Sequence, residues 1–330
     1  MRQVIIIGSG PAGYTAGIYA ARAGLRPLIV ASSVEAGGEL MKTTEVENFP
    51  GFPEGIQGPE LMFKMQEQAE KFGAEVLLDD VTAVDLTGDV KKVTLGNGTV
   101  EESLTVIFAT GSAYRKLGLA DEERLSGRGV SWCATCDGFF FKEKAIAVVG
   151  GGDSAMEEAT FLTRFASKVY VIHRSSSLRA SKIMQDRAHA NEKIEFLFDK
   201  QVTAILGGEK ATGVTLTDTV DGSTTDLDLD GLFIAIGNDP RVHLVHGQVD
   251  LTSDGTIAVQ GRSSKTNLTG VFAAGDVIDA TYRQAATAAA SGTVAALDVE
   301  HYLASLDQTF LAEQTVGSAE GIETSESVVA

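Results

Sequence analysis

Apolar runs that close on glycine recur along this chain. Arg2–Ile7, Leu104–Ala109, Ala145–Val149, Val169–Ile172 and Leu232–Ile236 are mostly apolar without strict alternation, as strands covered on both faces of a parallel sheet are. Further strands are expected at Arg26–Ala31 and Gly270–Val277. Between them, helical patterning is expected over 12–24, over Gly58–Phe72, from the glycines at 150–152 to about Phe165, and from Ala285 to about Leu303. Shorter strands are expected near Ala74–Leu78, Val81–Leu86, Val90–Leu95, Val202–Leu206 and Gly213–Leu216, with a hairpin turn at Gly96-Asn97-Gly98. Strands alternating with helices predict an α/β chain. Residues 37–59 are rich in glycine and proline, and are either the lining of a ligand site or a surface loop.

Composition sharpens this picture. The chain has 330 residues, enough for two cores, with 44% hydrophobic residues and 36 glycines, which suit tight strand-to-helix turns. No run of eighteen apolar residues occurs, and Val4-Ile5-Ile6-Ile7-Gly8 follows the N-terminus without the basic and small-residue features of a signal peptide. A cytoplasmic protein is expected. The formal charge of −18 opposes nucleic acid and anionic membrane as partners, and any phosphate must be held by local features.

Two such features are present. Gly8-Ser9-Gly10-Pro11-Ala12-Gly13 is a G-x-G-x-x-G sequence between a strand and a helix, and Gly150-Gly151-Gly152-Asp153-Ser154-Ala155 repeats the plan with a final alanine. In this setting the first glycine permits the turn, the second admits a pyrophosphate to the backbone, and the third lets helix and strand approach. The strand after the first is followed by Glu35, either a ribose-binding acid or a solvated loop glutamate. The strand after the second ends in His173-Arg174, with Arg179 close by, and these bases favour the 2′-phosphate of NADPH over NADH.

The only two cysteines stand between these fingerprints, in Cys133-Ala134-Thr135-Cys136-Asp137. A lone C-x-x-C in a chain without an export signal points to a redox dithiol, with two idle buried cysteines as the alternative. Five histidines, none spaced to complete a zinc site, leave no metal expected. Asp137 can move the proton that thiol–disulfide exchange requires, or can serve as a turn residue.

Taken together, the two fingerprints, Cys133 to Phe140 and Gly270–Val277 resemble the bacterial-type, low-molecular-weight thioredoxin reductases from residue 2 to about 304. The resemblance implies two Rossmann-like three-layer domains, the NADPH domain inserted into the FAD domain. Their expected bounds are 1–112 with 241–306 for FAD and 113–240 for NADPH and the dithiol, leaving 307–330 as a disordered tail. It implies FAD contacts at Ser9, Gly10, Pro11, Ala12, Glu35, Gly38, Glu39, Leu40, Asn48, Thr110, Gly111, Asp276, Arg283, Gln284 and Ala285. NADPH would meet Gly152, Asp153, Ser154, His173, Arg174 and Arg179. Cys133 would attack the disulfide of thioredoxin, Cys136 would lie nearer the flavin, and Asp137 would handle the proton. A homodimer and a rotation of the inserted domain are further implications. Ser175 stands where the family usually has a second arginine, and Glu39 where it often has glutamine. A flavin-dependent dithiol oxidase and a redox-sensing dinucleotide-binding protein are the competing readings.

Overall fold

The computed structural model describes residues 1–34, 36–43 and 45–320, with side chains to Leu306. The chain forms two compact units, one of Met1–Lys42, Gly58–Ser112 and the chain from Pro240 onward, the other of Thr43–Gln57 and Ala113–Asp239. Thr43–Gln57, expected in the first domain, therefore groups with the second. Among the described residues no helix is long and apolar enough to cross a membrane.

In the first unit parallel strands lie in the order Glu75–Leu78, Leu28–Ala31, Arg2–Ile7, Val100–Phe108, Val271–Ala273. Val81–Asp85 and Lys91–Leu95 join the start of Val100–Phe108 as an antiparallel meander. Alternate residues explain the continuous apolar runs. Ile5, Ile7, Val106 and Phe108 enter one core with Val245, Val249 and Ile257. On the opposite face, Ile29 meets the helix Pro11–Arg22 at Gly17, and Phe272 meets Tyr302 of the last helix. Every one of these strand side chains is buried, so neither face can carry polar alternation.

The second unit repeats the plan. Its parallel sheet runs Val130–Ser131, Gly231–Ile234, Ala145–Val149, Lys168–Ile172, Ile194–Leu197. Ile146 and Val148 pack with Ala155, Met156, Ala159 and Leu162 of the helix Asp153–Leu162, while Ala147 and Val149 face an antiparallel sheet of Lys200–Leu206, Gly213–Asp218 and Thr224–Asp228. Each unit is thus a three-layer dinucleotide-binding fold.

Local geometry trims the expected elements. Arg26 has φ 46°, outside the extended region, so its strand starts at Leu28. Gly270 and Gly275, with φ 76° and 82°, bound the strand Val271–Ala273 and turn the chain into Gly275–Val277. The first two helices are Pro11–Arg22 and Gly58–Lys71, and the second fingerprint helix stops at Leu162. Within 37–59 are a turn of 3-10 helix at Gly38–Lys42 and a short hairpin of Glu45–Val46 with Ile56–Gln57. The last helix spans Ala285–Glu320, so residues 307–320, expected to be without structure, continue it; 321–330 lie outside the described residues.

Candidate active site

The first fingerprint forms a cradle whose three glycines do three different things. A Cβ on Gly8 would lie 2.2 Å from the Ala109 carbonyl oxygen, and one on Gly13 would lie 2.0 Å from that of Gly8. Gly10, by contrast, has nothing within 4 Å of that position. It begins the helix Pro11–Arg22 with no side-chain cap, leaving backbone N–H groups at an open approach. An open approach with uncapped donors fits a pyrophosphate. Ser9 is buried, and its Oγ accepts the Gly37 N–H at 2.9 Å; Gly38 follows, packed close to Gly10.

Around this cradle lie Thr110, Gly111, Glu39 and Asp276. The Thr110 hydroxyl donates to the Arg241 carbonyl at 2.8 Å, the Arg241 N–H donates to the Gly111 carbonyl at 3.0 Å, and the Arg241 guanidinium pairs with Glu39. Gly275 approaches Ala12, which carries Asp276 to the same end of the first helix. Burial pushes the Asp276 carboxyl from 3.8 up to about 6, and Asp279 and Glu39 push the same way against Arg283 and Arg241. Arg283 donates its backbone N–H to Asp279 at 2.9 Å, and Gln284 and Ala285 lead into the last helix.

A raised carboxyl binds its proton more tightly in the folded chain, so stability is lost as pH rises from about 4 to about 6. Asp276→Asn in cofactor-stripped protein is therefore expected to gain on the order of 2 kcal/mol above pH ~6 and nothing below pH ~4. Thermal melts at pH 4 and pH 8 check this, and an equal gain at both would remove the titration as its cause.

The second fingerprint has the same construction. A Cβ on Gly150 would meet the Ala235 carbonyl oxygen at 2.4 Å, whereas Gly152 is open and starts the helix Asp153–Leu162 without a cap. Asp153 is tied down, accepting the Ser181 N–H at 2.5 Å, with Ser154 beside it. His173 is buried, and a Cβ on Gly151 would lie 2.3 Å from its ring, so the imidazole shapes this loop from beneath. Its pKa is lowered, first by burial and then by Arg179 and Arg174. Both arginines are exposed, and among the described residues neither has an ion-pair partner.

The same unit carries the dithiol. Cys133 and Cys136 are joined as a disulfide across a short helical turn, Ala134–Asp137. Thr135 Oγ1 lies 3.4 Å from Cys133 Sγ, and Ser131 Oγ accepts the Cys133 N–H at 3.1 Å. Burial raises the Asp137 pKa, and a hydrogen bond with Ser131 opposes the rise. Beyond the turn, Gly138 packs against Leu162, and Phe139 and Phe140 are 50% and 40% exposed, too open to be core.

The unit that carries the Cys133–Cys136 disulfide also carries a dinucleotide cradle, and residues 2–292 match the pyridine nucleotide-disulphide oxidoreductases. The chain belongs to that family. Within these pyridine nucleotide-disulphide oxidoreductases it is 62% identical over 306 residues to a thioredoxin reductase of Streptomyces clavuligerus, covering 93% of this chain and 95% of that one. It is 59% identical to one of Streptomyces coelicolor, covering 95% and 97%. A crystal structure of thioredoxin reductase from Streptococcus pyogenes matches at TM-score 0.86 and 44% identity, over 92% of this chain and 98% of that one.

For a pyridine nucleotide-disulphide oxidoreductase, the first unit brings together Ser9 to Ala12, Gly38 to Leu40, Thr110, Gly111, Asp276 and the 283–285 stretch. Asn48 is exposed in the loop that joins Glu45–Val46 to Ile56–Gln57, a stretch that groups with the other unit, and Glu35 lies outside the described residues. Two site residues escaped sequence analysis. Arg241 gives no local signal, because its partners Glu39 and Thr110 are far along the chain. Ser131 stands two residues before Cys133, where a small hydroxyl residue was a readable cue.

Proposed function

We propose that this chain is a thioredoxin reductase that passes electrons from NADPH through FAD to the Cys133/Cys136 pair and on to the disulfide of thioredoxin. The observation that carries the reading is the disulfide Cys133–Cys136 beside an Asp137 whose pKa burial has raised. FAD would be held by the Gly8–Gly13 cradle with Glu39, Thr110, Gly111 and Asp276, and NADPH by Gly152, Asp153, Arg174 and Arg179. Bound there, a flavin supplies two-electron storage between a hydride donor and a disulfide.

The chain's own residues supply the rest. Once the pair is reduced, the Thr135 hydroxyl beside Cys133 Sγ can donate to a thiolate there, which supports Cys133 as the attacking sulfur. Asp137 holds a proton for the leaving sulfur, and Cys136, three residues on, resolves the mixed disulfide. Exposed Phe139 and Phe140, with Lys142 Nζ 3.8 Å from the Phe139 ring centroid, offer an apolar and cationic surface beside the turn for a folded protein. A homodimer in the cytoplasm is the working form that goes with this reading.

The test is the visible spectrum of the purified protein, followed by NADPH oxidation with and without thioredoxin. A flavin spectrum and oxidation that depends on thioredoxin are expected. Oxygen consumption without thioredoxin would mark a dithiol oxidase, and binding without turnover a sensor. In the same assay Arg174→Ala is expected to raise KM for NADPH about tenfold more than for NADH, through loss of a charge-assisted phosphate contact. Equal changes for both nucleotides would make Arg174 structural.

A further inference from the structure

We propose that Arg241 is a positioning residue of the flavin cradle, whose guanidinium holds and neutralises the Glu39 carboxylate so that an anionic dinucleotide can occupy the open approach at Gly10. The inference rests on the flavin site proposed above and adds a role to it. Every residue concerned lies in the first unit. Arg241 is fastened to the end of the strand Val100–Phe108 through its backbone, its N–H donating to the Gly111 carbonyl at 3.0 Å and its carbonyl accepting the Thr110 hydroxyl at 2.8 Å. The side chain then reaches in a second direction. Its Nη1 donates to the Thr110 carbonyl at 3.4 Å, and its Nη2 pairs with Glu39 Oε1. One residue thus joins the strand end to the Gly38–Lys42 turn.

A carboxylate is a poor neighbour for an anion-binding cradle. Glu39 follows Gly38, and a Cβ on Gly38 would lie 3.3 Å from Gly10 Cα, at the uncapped start of the helix Pro11–Arg22. A pyrophosphate seated on that start would be repelled by a bare carboxylate so close by. The chain's charge of −18 supplies no general attraction to offset this, so the compensation must be local. Arg241 supplies it. The side chains of the pair are only 37% and 33% exposed, so solvent screens their attraction in part. Lys42 Nζ stands 3.9 Å from the same Glu39 oxygen, but that side chain is 47% exposed and the longer contact contributes less. Asp276 feels both members of the pair, for beyond the burial that pushes its carboxyl up to about 6, Glu39 pushes the same way and Arg241 opposes it.

Backbone and side chain can be separated by substitution. Every residue except proline keeps an N–H and a carbonyl at 241, so the contacts to Gly111 and Thr110 survive a change of side chain. Removing the guanidinium alone therefore reads its charge and its hold on Glu39.

The test is titration of the flavin-stripped, full-length protein with FAD, followed by quenching of flavin fluorescence at low salt and at about 0.5 M salt. Arg241→Gln is expected to weaken FAD binding about tenfold at low salt, and its deficit relative to wild type should shrink at high salt, where repulsion is screened. Adding Glu39→Gln to Arg241→Gln should recover most of the loss, because the uncompensated charge goes with it. Arg241→Lys keeps a cation and should stay near wild type. A double variant as weak as Arg241→Gln alone, or a deficit that salt leaves unchanged, would overturn the proposal and make Arg241 a structural tie. So would Arg241→Gln binding FAD as tightly as wild type. Should that variant not fold, Arg241→Met repeats the measurement, and a chain that no neutral residue at 241 allows to fold would overturn the proposal as well. Wild-type protein that takes up no FAD would overturn the flavin site and this role together, whereas each pattern above would overturn the role alone.

Discussion

Cys133→Ser and Cys136→Ser are each expected to lower NADPH-driven reduction of thioredoxin by ~10³-fold or more, because members of one relay fail together rather than additively. A serine hydroxyl can neither form the disulfide that receives the electrons nor leave from one. Neither residue belongs to a glycine cradle, so NADPH should still bleach the flavin in both variants. The two also differ in a way that tests the division of labour. With Cys136 gone, Cys133 has no resolving partner, and the variant should accumulate a covalent complex with thioredoxin visible on a non-reducing gel. Cys133→Ser should trap nothing. The reverse pattern would exchange the two roles, and near-normal turnover in either variant would remove the dithiol from the relay.

Gly292→Ala is expected to unsettle the whole first unit. A glycine inside a helix is ordinarily improved by alanine, by about 1 kcal/mol. Here the added Cβ would sit 2.2 Å from the carbonyl oxygen of Ala12 and 3.0 Å from its carbonyl carbon, and both are backbone atoms that no rotamer change can move aside. The last helix or the fingerprint helix must therefore retreat, and overpacking of that kind costs about 1–3 kcal/mol or more. The retreat would also spoil the cradle, since Ala12 and Gly10 share one helix start. Lower Tm and loss of bound flavin should appear together. Gly10→Ala is the contrast, with space for its Cβ, so its apoprotein should melt normally while flavin affinity falls. An unchanged melt for Gly292→Ala would mean that the two helices can part at little cost.

Both glycine cradles were legible because each is a local sequence whose function is local geometry. The dithiol was legible by scarcity. What the chain did not announce are elements that take their structure from neighbours. Thr224–Asp228 has no apolar alternation and is a strand only because Gly213–Asp218 pairs with it. Ile194–Leu197 is four residues long and Lys182–His189 is mostly polar, so neither stands out from its flanks. The clasp of Arg241 on Glu39 and Thr110 belongs to the same class, being a property of three distant stretches brought together. His173 adds a detail that no motif carries, for its ring occupies the space that a Cβ on Gly151 would need.

The disulfide joins residues only 3 apart. Closing so small a ring removes little freedom from the unfolded chain, on the order of 2 kcal/mol by loop-entropy reasoning. A bond between distant strands would tighten and slacken the protein each time it was made and broken. This one opens and closes within a single turn, so an enzyme that breaks its own covalent link at every cycle gives up less of its resistance to heat and to proteases than the opening of a wider loop would cost it.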